Sequence, residues 1–392
     1  VTDANRSRIT LPYWRLSGFY LFYFATLGAL LPYWSLYLQS LGFSFQKTGE
    51  LMALLMAIRI LAPNIWGYIA DHSGRRMAIV RLASLLAALA FSTVYLNHSY
   101  PALAGVMMTF SFFWNGTLPQ FEVITLTHLD LEKKPHHYSR IRLWGSIGFI
   151  LSVTLLGLVL DQVSMGLLPA VILILIISIW LLSLTVPESN IHHYHSSDHK
   201  PLWRILQRPE ILIFFTIAFL MQASHGPYYT FYTIYLEGYG YSRSFIGGLW
   251  ALGVIAEIGI FLSMHRLLPS LGARRILLGS LLLASLRWLL VGLFPSYLPL
   301  VIFAQLLHAA TFGAFHAAAI DWVYHHFSSI HRSQGQALYS SLGFGAGGAF
   351  GSFYSGYLWV MSPNGTYLIA ATIAITAFCL AYFSIGRSLR RG

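Results

Sequence analysis

The chain has 392 residues, of which 56% are hydrophobic and only 9% charged, with a formal net charge of +11. Soluble domains carry about 25% charged residues, so this composition excludes a water-covered surface and requires lipid around most of the molecule. The basic residues fall in short clusters between long apolar runs, a pattern that excludes a single nucleic-acid-binding face and matches positive-inside loops.

A membrane-spanning helix needs about 20 mostly apolar residues, and twelve such runs are predicted. The first six cover 12–38, 46–70, 77–96, 101–128, 139–160 and 167–186. The second six cover 209–236, 244–265, 275–293, 297–325, 333–358 and 364–386. No cleavable leader is expected, because the polar start from Val1 to Arg8 runs directly into a spanning segment. The predicted organisation is a six-helix bundle at 1–186, a cytoplasmic loop at 187–208 and a second six-helix bundle at 209–392.

Lys and Arg set the topology. The odd-numbered gaps hold only Lys47 and Arg243. The even-numbered gaps and the ends hold Arg6, Arg8 and Arg15, then Arg75, Arg76 and Arg81, then Lys133, Lys134 and Arg140. Lys200, Arg204 and Arg208 follow, then Arg266, Arg274 and Arg275, then Arg387, Arg390 and Arg391. This asymmetry predicts an inner-membrane protein with both termini in the cytoplasm.

The two sets of runs repeat. Tyr37-Leu38-Gln39-Ser40-Leu41-Gly42-Phe43-Ser44 matches Tyr235-Leu236-Glu237-Gly238-Tyr239-Gly240-Tyr241-Ser242 at an offset of 198, which also maps Gly49 on Gly247. Leu143-Trp144-Gly145-Ser146-Ile147-Gly148-Phe149 matches Leu338-Tyr339-Ser340-Ser341-Leu342-Gly343-Phe344 at an offset of 195. Parallel six-helix repeats are the plan of major facilitator transporters, which bind solute near the midplane between the halves. The stretch Gly67-Tyr68-Ile69-Ala70-Asp71-His72-Ser73-Gly74-Arg75-Arg76 resembles that superfamily's signature loop. Gly67 is expected to allow close helix approach, Asp71 to take an Arg partner, Gly74 to permit a tight turn, and Arg75 and Arg76 to anchor at the anionic leaflet. The matching loop of the second half, Leu271-Gly272-Ala273-Arg274-Arg275, is degenerate.

Charges inside spans are costly and mark cavities or partners. Those predicted are Arg59, Glu122, Arg142, His225, Glu257, Arg287, His308, His316 and Asp321. Arg59 and Glu257 occupy equivalent positions of the repeat with opposite signs, and both are expected to face the central cavity; the bland alternative pairs Glu257 with Arg287 inside one bundle. His308 and His316 broadly share a helix face, so Glu257, Arg287, His308, His316 and Asp321 form a candidate proton-coupling set. Arg59, Glu122, Arg142 and His225, with the aromatics Tyr33, Trp34, Tyr228, Tyr229 and Tyr232, are candidate solute ligands; for any single aromatic, an interfacial or packing role is the default. Pro32 and the Gly226-Pro227 pair are expected to loosen the first and seventh helices.

Several functions find no support. Disulfides are impossible with Cys379 as the single cysteine. The histidines His192, His193, His195 and His199 read as a solvated loop, since nothing around them has metal-site spacing. There is no P-loop and no nucleophile elbow, so neither ATP hydrolysis nor membrane-embedded catalysis is expected. A sensor would need an added soluble domain. The run Gly145 to Gly157 lacks the proline of the drug-antiporter signature.

The chain resembles the 3-phenylpropionate permease group of the major facilitator superfamily, which is similar to the lactose and nucleoside symporters. The strings that carry this are Leu31-Pro32-Tyr33-Trp34-Ser35, Arg142-Leu143-Trp144-Gly145-Ser146 and His225-Gly226-Pro227-Tyr228-Tyr229. They continue in Gly253-Val254-Ile255-Ala256-Glu257, Leu286-Arg287-Trp288, Gln305-Leu306-Leu307-His308 and Ala337-Leu338-Tyr339-Ser340. The resemblance implies an all-α membrane protein of twelve helices in two pseudo-symmetric bundles, and proton symport of a small organic solute. It implies Glu122 and Arg142 for substrate, and Glu257, Arg287 and His308 or His316 for coupling. Asp321 departs from the pattern, because a basic residue is expected there. The solute classes left open are an aromatic carboxylate, a sugar, a nucleoside or a siderophore, and efflux antiport is the rival direction. The expected partners are the solute, protons and lipid, with no cofactor, metal or nucleic acid, for a monomer.

Overall fold

The computed structural model describes residues 11–188, 205–328 and 331–384. The predicted loop residues His192, His193, His195, His199, Lys200 and Arg204 lie outside that range, as do Arg6, Arg8, Arg387, Arg390 and Arg391. The described residues are helices and short connections. α1 is Tyr13–Ser40, α2 Phe45–Ser73, α3 Arg76–Tyr95, α4 Tyr100–Leu131, α5 Tyr138–Leu160 and α6 Met165–Thr185. α7 is Pro209–Gly238. Arg243–Leu293 turns at Gly272 (φ 77°, ψ 152°), and its two rods are α8 and α9. α10 is Leu298–His326. α11 passes through Arg332–Tyr339, a π-helical stretch Ser340–Gly347 and Gly348–Met361. α12 is Pro363–Ser384. Divided this way, the described residues hold twelve rods and no strand. Nine continuous helical stretches are long and apolar enough to cross a membrane, with Arg243–Leu293 counting once.

The repeat is visible in the backbone. Gly42 and Gly240 take φ of 85° and 87°, and Gly74 and Gly272 take φ of 65° and 77°. Both pairs are 198 residues apart, so the turn after the second rod of each half carries a positive-φ glycine at the matching position, with ψ 3° at Gly74 and 152° at Gly272. The loop that reads as degenerate therefore keeps the one residue its geometry requires. The helix starts match as well. Ser44 caps α2 by accepting from the Lys47 amide at 3.3 Å, and Ser242 caps α8 by accepting from the Phe245 amide at 3.2 Å.

Within the first half, α1 packs on α5 and α6, and α3 on α4 and α6; in the second half, α12 packs on α7 and on the α8–α9 helix. Contact between the halves runs mainly along α2 against α11 and α5 against α8. Each seam closes on glycine. A Cβ on Gly49 would lie 2.8 Å from the Ser352 carbonyl oxygen, and one on Gly356 would lie 2.9 Å from that of Phe45. In the other seam, a Cβ on Gly247 would lie 2.5 Å from the Val153 oxygen, and one on Gly157 would lie 2.6 Å from that of Arg243. Consecutive rods alternate in direction, so both seams sit at the end that carries the Gly42, Asp161 and Gly240 connections. Asp161, just past α5, ties that end together. Its carboxylate accepts from the backbone amides of Arg243 (2.8 Å) and Ser244 (3.1 Å). Arg243 in turn donates to the Leu160 carbonyl and pairs with Glu237 at 2.7 Å.

Prolines place two departures from ideal helix. Pro63 lacks an amide hydrogen and its ring collides with the carbonyl four residues back, that of Arg59. α2 accordingly tightens to a 3₁₀ turn at Ile58–Ile60. The nearby Ile60 carbonyl accepts from Asn64 at 3.0 Å and from Ser341 of α11 at 3.3 Å. Pro227 has the same effect on α7, which breaks at His225, and the freed Ala223 carbonyl accepts from the Tyr354 hydroxyl at 3.2 Å. Pro32 behaves differently: α1 remains one continuous helix around it. The predicted loosening is thus seen in α7 and not as a break in α1.

Two predictions follow from these close approaches. A Cβ on Gly226 would collide with the Gly351 backbone, whereas one on Gly105 would meet nothing within 4 Å. Gly226→Ala should therefore cost about 1–3 kcal/mol through overpacking, read as a lower melting temperature in detergent, while Gly105→Ala leaves it unchanged or raised. The second concerns Asp161. Burial raises its pKa, but the hydrogen bonds from Ser244 and Arg243, with the Arg243 charge, outweigh this and hold it below the usual carboxylate value. A depressed pKa keeps the clasp intact above the free carboxyl value of about 3.9 and releases it only as pH falls through the lower value. Thiol labelling of Ala251→Cys, in a Cys379→Ser background, should be slow and flat from about pH 5 to 8 on that reference value. It should become faster in Asp161→Asn.

Candidate functional site

Arg287 of α9 is fully buried, with 0% exposure. A guanidinium in apolar surroundings must bring acceptors with it, and this one has three. It donates to His308 Nδ1 at 2.9 Å, to Thr311 Oγ1 at 3.1 Å and to Gln305 Oε1 at 2.8 Å. All three acceptors stand on α10, and their spacing of three residues puts them on one helix face. The cation also lies over the rings of Tyr228 (4.3 Å) and Trp288 (4.6 Å). Gln305 uses its amide to bind the Tyr228 hydroxyl at 3.1 Å and the Leu249 carbonyl at 3.0 Å. One side chain of α9 thus joins α7, α8 and α10.

This network fixes the state of His308. Arginine offers no acceptor, so His308 Nδ1 must be the unprotonated nitrogen and the ring proton sits on Nε2. Nε2 lies 3.8 Å from the Glu257 carboxylate of α8. That is longer than a hydrogen bond, but the donor faces the acid. Two glycines allow the approach. A Cβ on Gly253 would lie 3.3 Å from the His308 ring, and one on Gly313 would lie 3.1 Å from Glu257 Cγ. Gly313 belongs to a π-helical stretch, Ala309–Ala314, directly after His308; such bulges recur at functional sites. Arg287 makes no ion pair with Glu257, whose side chain keeps 18% exposure, so the in-bundle pairing of these two is not what the fold builds.

A second group surrounds the space between the halves. Arg59, Glu122 and Arg142 on one side and Tyr229, Glu257 and His316 on the other are all part-exposed. Arg142 lies 3.9 Å over the Phe24 ring and 5.8 Å over that of Tyr20. It interacts electrostatically with Glu122 on its own side and with Glu257 and His316 across the space. Tyr23 of α1 interacts with Arg59, Glu122 and Arg142, and Tyr229 of α7 with Arg59, Glu257 and Arg287. Arg59 and Glu257 each follow the start of their helix by 14 residues, about 21 Å along the axis at 1.5 Å per residue. They stand at equal depth and share Tyr229 as a neighbour.

The other predicted site residues are dispersed. His316 faces the Tyr339 hydroxyl at 3.2 Å, and its ring continues a stack with Phe312 and His308. Asp321 pairs with His325 at 3.5 Å. It lies 13 residues beyond His308, about 20 Å further along α10, and does not join the Arg287 network. His225 is buried at the α7 break, where it contacts the Met221 carbonyl at 2.8 Å. Tyr33 and Trp34 are fully packed: Tyr33 donates to the Val153 carbonyl at 2.7 Å beside the α5–α8 seam, and Trp34 meets Met107 Sδ at 3.4 Å. Tyr228 belongs to the Arg287 network, and the Tyr232 ring packs on Tyr228 and Trp250. Of the five aromatics singled out, only Tyr229 borders the central space. Tyr23, Gln305, Thr311 and Phe344 were not singled out. Gln305 and Thr311 flank His308 at helical spacing, and that was the available signal.

The signature loop is built as a polar joint. Arg76 pairs with Asp71 and also donates to Gln120 of α4, while Arg75 is exposed. Gly67 plays a smaller part than expected: a Cβ there would meet only Gln120 Nε2, at 3.9 Å. The close approach of α2 to α4 occurs one residue earlier, where Trp66 lies on Gly116 and donates to the Phe112 carbonyl at 3.0 Å. Among the described residues, no cluster of His, Cys, Asp and Glu is arranged to hold a metal.

Comparison with known proteins agrees with this architecture. Residues 13–369 match the model of the MFS_1 like family. The chain is 28% identical over 372 residues to a probable 3-phenylpropionic acid transporter of Escherichia coli (strain K12), covering 94% of this chain and 96% of that one. It is 24% identical over 342 residues to a maltose permease of Geobacillus stearothermophilus, covering 87% and 86%. The crystal structure of the nucleoside transporter NupG superposes with a TM-score of 0.85 at 18% identity, covering 95% of this chain and 99% of that one. The chain belongs to the MFS_1 like family and is a membrane transporter of the major facilitator type.

The Arg287 network makes a stability prediction. Lysine keeps the charge but cannot supply a planar fork to three acceptors. Arg287→Lys should cost about 3–5 kcal/mol, the range for breaking a buried charged network. The check is thermal unfolding in detergent, with Thr216→Val on the exposed side of α7 as a control that stays near wild type.

Proposed function

We propose that this member of the MFS_1 like family imports a small organic acid, an aromatic carboxylate, together with protons, by alternating access in the inner membrane. The observation that carries the reading is the arrangement of Glu257, part-exposed at mid-depth, in front of a neutral His308 whose proton faces it. Arg287 is occupied by neutral acceptors, so it orients His308 rather than neutralising Glu257. Glu257 is thereby left free to take up and release a proton, with His308 Nε2–H available to steady the ionised form.

Charge balance links proton and solute. Three arginines (Arg59, Arg142 and Arg287) and two glutamates (Glu122 and Glu257) stand at or beside the central space. A carboxylate solute entering this excess of positive charge also approaches Glu257. Two anions repel, so solute binds better when Glu257 is protonated, and by reciprocity solute favours protonation. Proton and acid therefore travel together. The seams at Gly49–Gly356 and Gly157–Gly247 close the end opposite the basic connections that carry Arg75, Arg76, Lys133 and Lys134. Under the positive-inside rule this is a cytoplasm-facing conformation with both termini inside. The six-helix units at 1–186 and 209–392 rock about the central space to expose it to the other side. The 28% identity to a probable 3-phenylpropionic acid transporter supports an aromatic acid as the solute.

Proteoliposomes test this. Labelled 3-phenylpropionate should accumulate under an inward proton gradient and stop accumulating when a protonophore is added. In Glu257→Gln, gradient-driven uptake should vanish while solute exchange persists. Gradient-driven accumulation that survives in Glu257→Gln would remove this residue from coupling. Extrusion under the same gradient would reverse the assigned direction.

A further inference from the structure

The resemblance to lactose symporters points to Arg142 as the arginine that meets the solute, but the surroundings of the three arginines favour a different one. Arg287 is buried and both of its terminal nitrogens donate to α10, leaving only Nε without a partner. Arg142 is covered on one face by the Phe24 ring at 3.9 Å and has an acid, Glu122, on its own side of the space. Arg59 has a ring only at longer range and no acid among its neighbours. Like Arg142, it makes no ion pair among the described residues. Its one hydrogen-bond acceptor is Met56 Sδ at 3.9 Å, and thioether sulfur is a weak acceptor. Its ring neighbours are Phe344, at 5.9 Å, and Tyr23 and Tyr229, with which it interacts electrostatically.

A half-buried guanidinium with no anion is costly in a membrane interior and persists where a ligand completes it. Arg59 is also placed for a ligand to report to both halves. It sits in the 3₁₀ turn that Pro63 imposes on α2, where that helix meets the π-helical stretch of α11. There a Cβ on Gly345 would lie 2.8 Å from Ile60 Cγ1. The surrounding rings, Tyr23 of α1, Tyr229 of α7 and Phe344 of α11, come from both halves. Of these, Tyr229 and Phe344 are part-exposed and supply faces on which an aryl group can lie beside a carboxylate held by the guanidinium, while the Tyr23 ring is buried against Trp114.

We infer that Arg59 is the specificity-determining residue of the central site: it binds the carboxylate of the solute, while Arg142 with Glu122 shapes the space without selecting charge. The inference rests on the reading above that the solute is a carboxylate. It makes the 3₁₀ turn of α2 the anion subsite and the junction with α11 the place where occupancy is felt.

The test compares 3-phenylpropionate with its neutral amide, which has nearly the same shape. Binding to purified wild type, Arg59→Gln, Arg59→Lys and Arg142→Gln is measured by calorimetry in nanodiscs. Arg59→Gln should lose on the order of 10–100-fold in affinity for the acid, the size of one charged hydrogen-bonding contact, and little for the amide. Arg59→Lys should fall between, and Arg142→Gln should change both ligands by the same factor. An unchanged acid-to-amide ratio in Arg59→Gln, or a ratio lost only in Arg142→Gln, overturns the assignment while the transport reading stands. Wild type that binds no carboxylate overturns both. Because no described ion pair depends on Arg59, its variants should elute and melt like wild type; Arg59→Lys, which retains the charge, keeps the test decisive if glutamine at this position unfolds the protein.

Discussion

A charged side chain inside a lipid-surrounded bundle cannot borrow hydrogen bonds from water, and Arg287 shows how much structure that requirement organises. Its guanidinium takes acceptors from three positions of one face of α10 and stacks on rings from α7 and α9. To reach them, α10 must bring His308, Gln305 and Thr311 into register, and the π-helical stretch begins immediately after His308. The widened turn carries Gly313 to the side chain of Glu257. The tautomer of His308, the direction of its remaining proton and the acid it faces all follow from satisfying one cation.

The contrast with Arg59 gives the molecule its polarity of function. One arginine places both terminal nitrogens on protein acceptors, and the other has only a thioether sulfur, although both lie at mid-bundle depth. The first orients His308 of the second half toward Glu257. The second stands in the first half at the equivalent level, and it shares Tyr229 with Glu257 as a neighbour.

Much of the fold could be read from the chain before any coordinates. Apolar run lengths located the rods to within a few residues, because membrane thickness dictates them and leaves little freedom. The 198-residue repeat foretold a backbone symmetry that reaches Ser44 and Ser242, Gly42 and Gly240, and Gly74 and Gly272. Side-chain direction was harder to read. Rods such as α1 and α7 are apolar nearly all round, so periodicity does not say which aromatic faces solute and which faces a neighbour; Tyr33 and Trp34 turn to packing while Tyr229 lines the space. Asp321 looked like a member of the proton set because it shares a helix with two histidines, but it pairs with His325 and lies about 20 Å along the axis from His308. The π-helical stretches of α10 and α11 have no local signal beyond their glycines, since they arise from contacts that the rest of the bundle imposes.

The two glycine seams share a backbone plan, but their polar fastenings differ. The α5–α8 seam is fastened by a carboxylate holding two backbone amides, through Asp161. The α2–α11 seam is fastened side chain to side chain, with Glu50 accepting from Tyr357 at 2.6 Å and from Tyr100 at 2.8 Å. A doubled gene has kept its hinges and replaced the bolts. Amides cannot swing away as a tyrosine can, so the two seams should not part at the same moment: the tyrosine side yields first, and the end they close opens as a wedge.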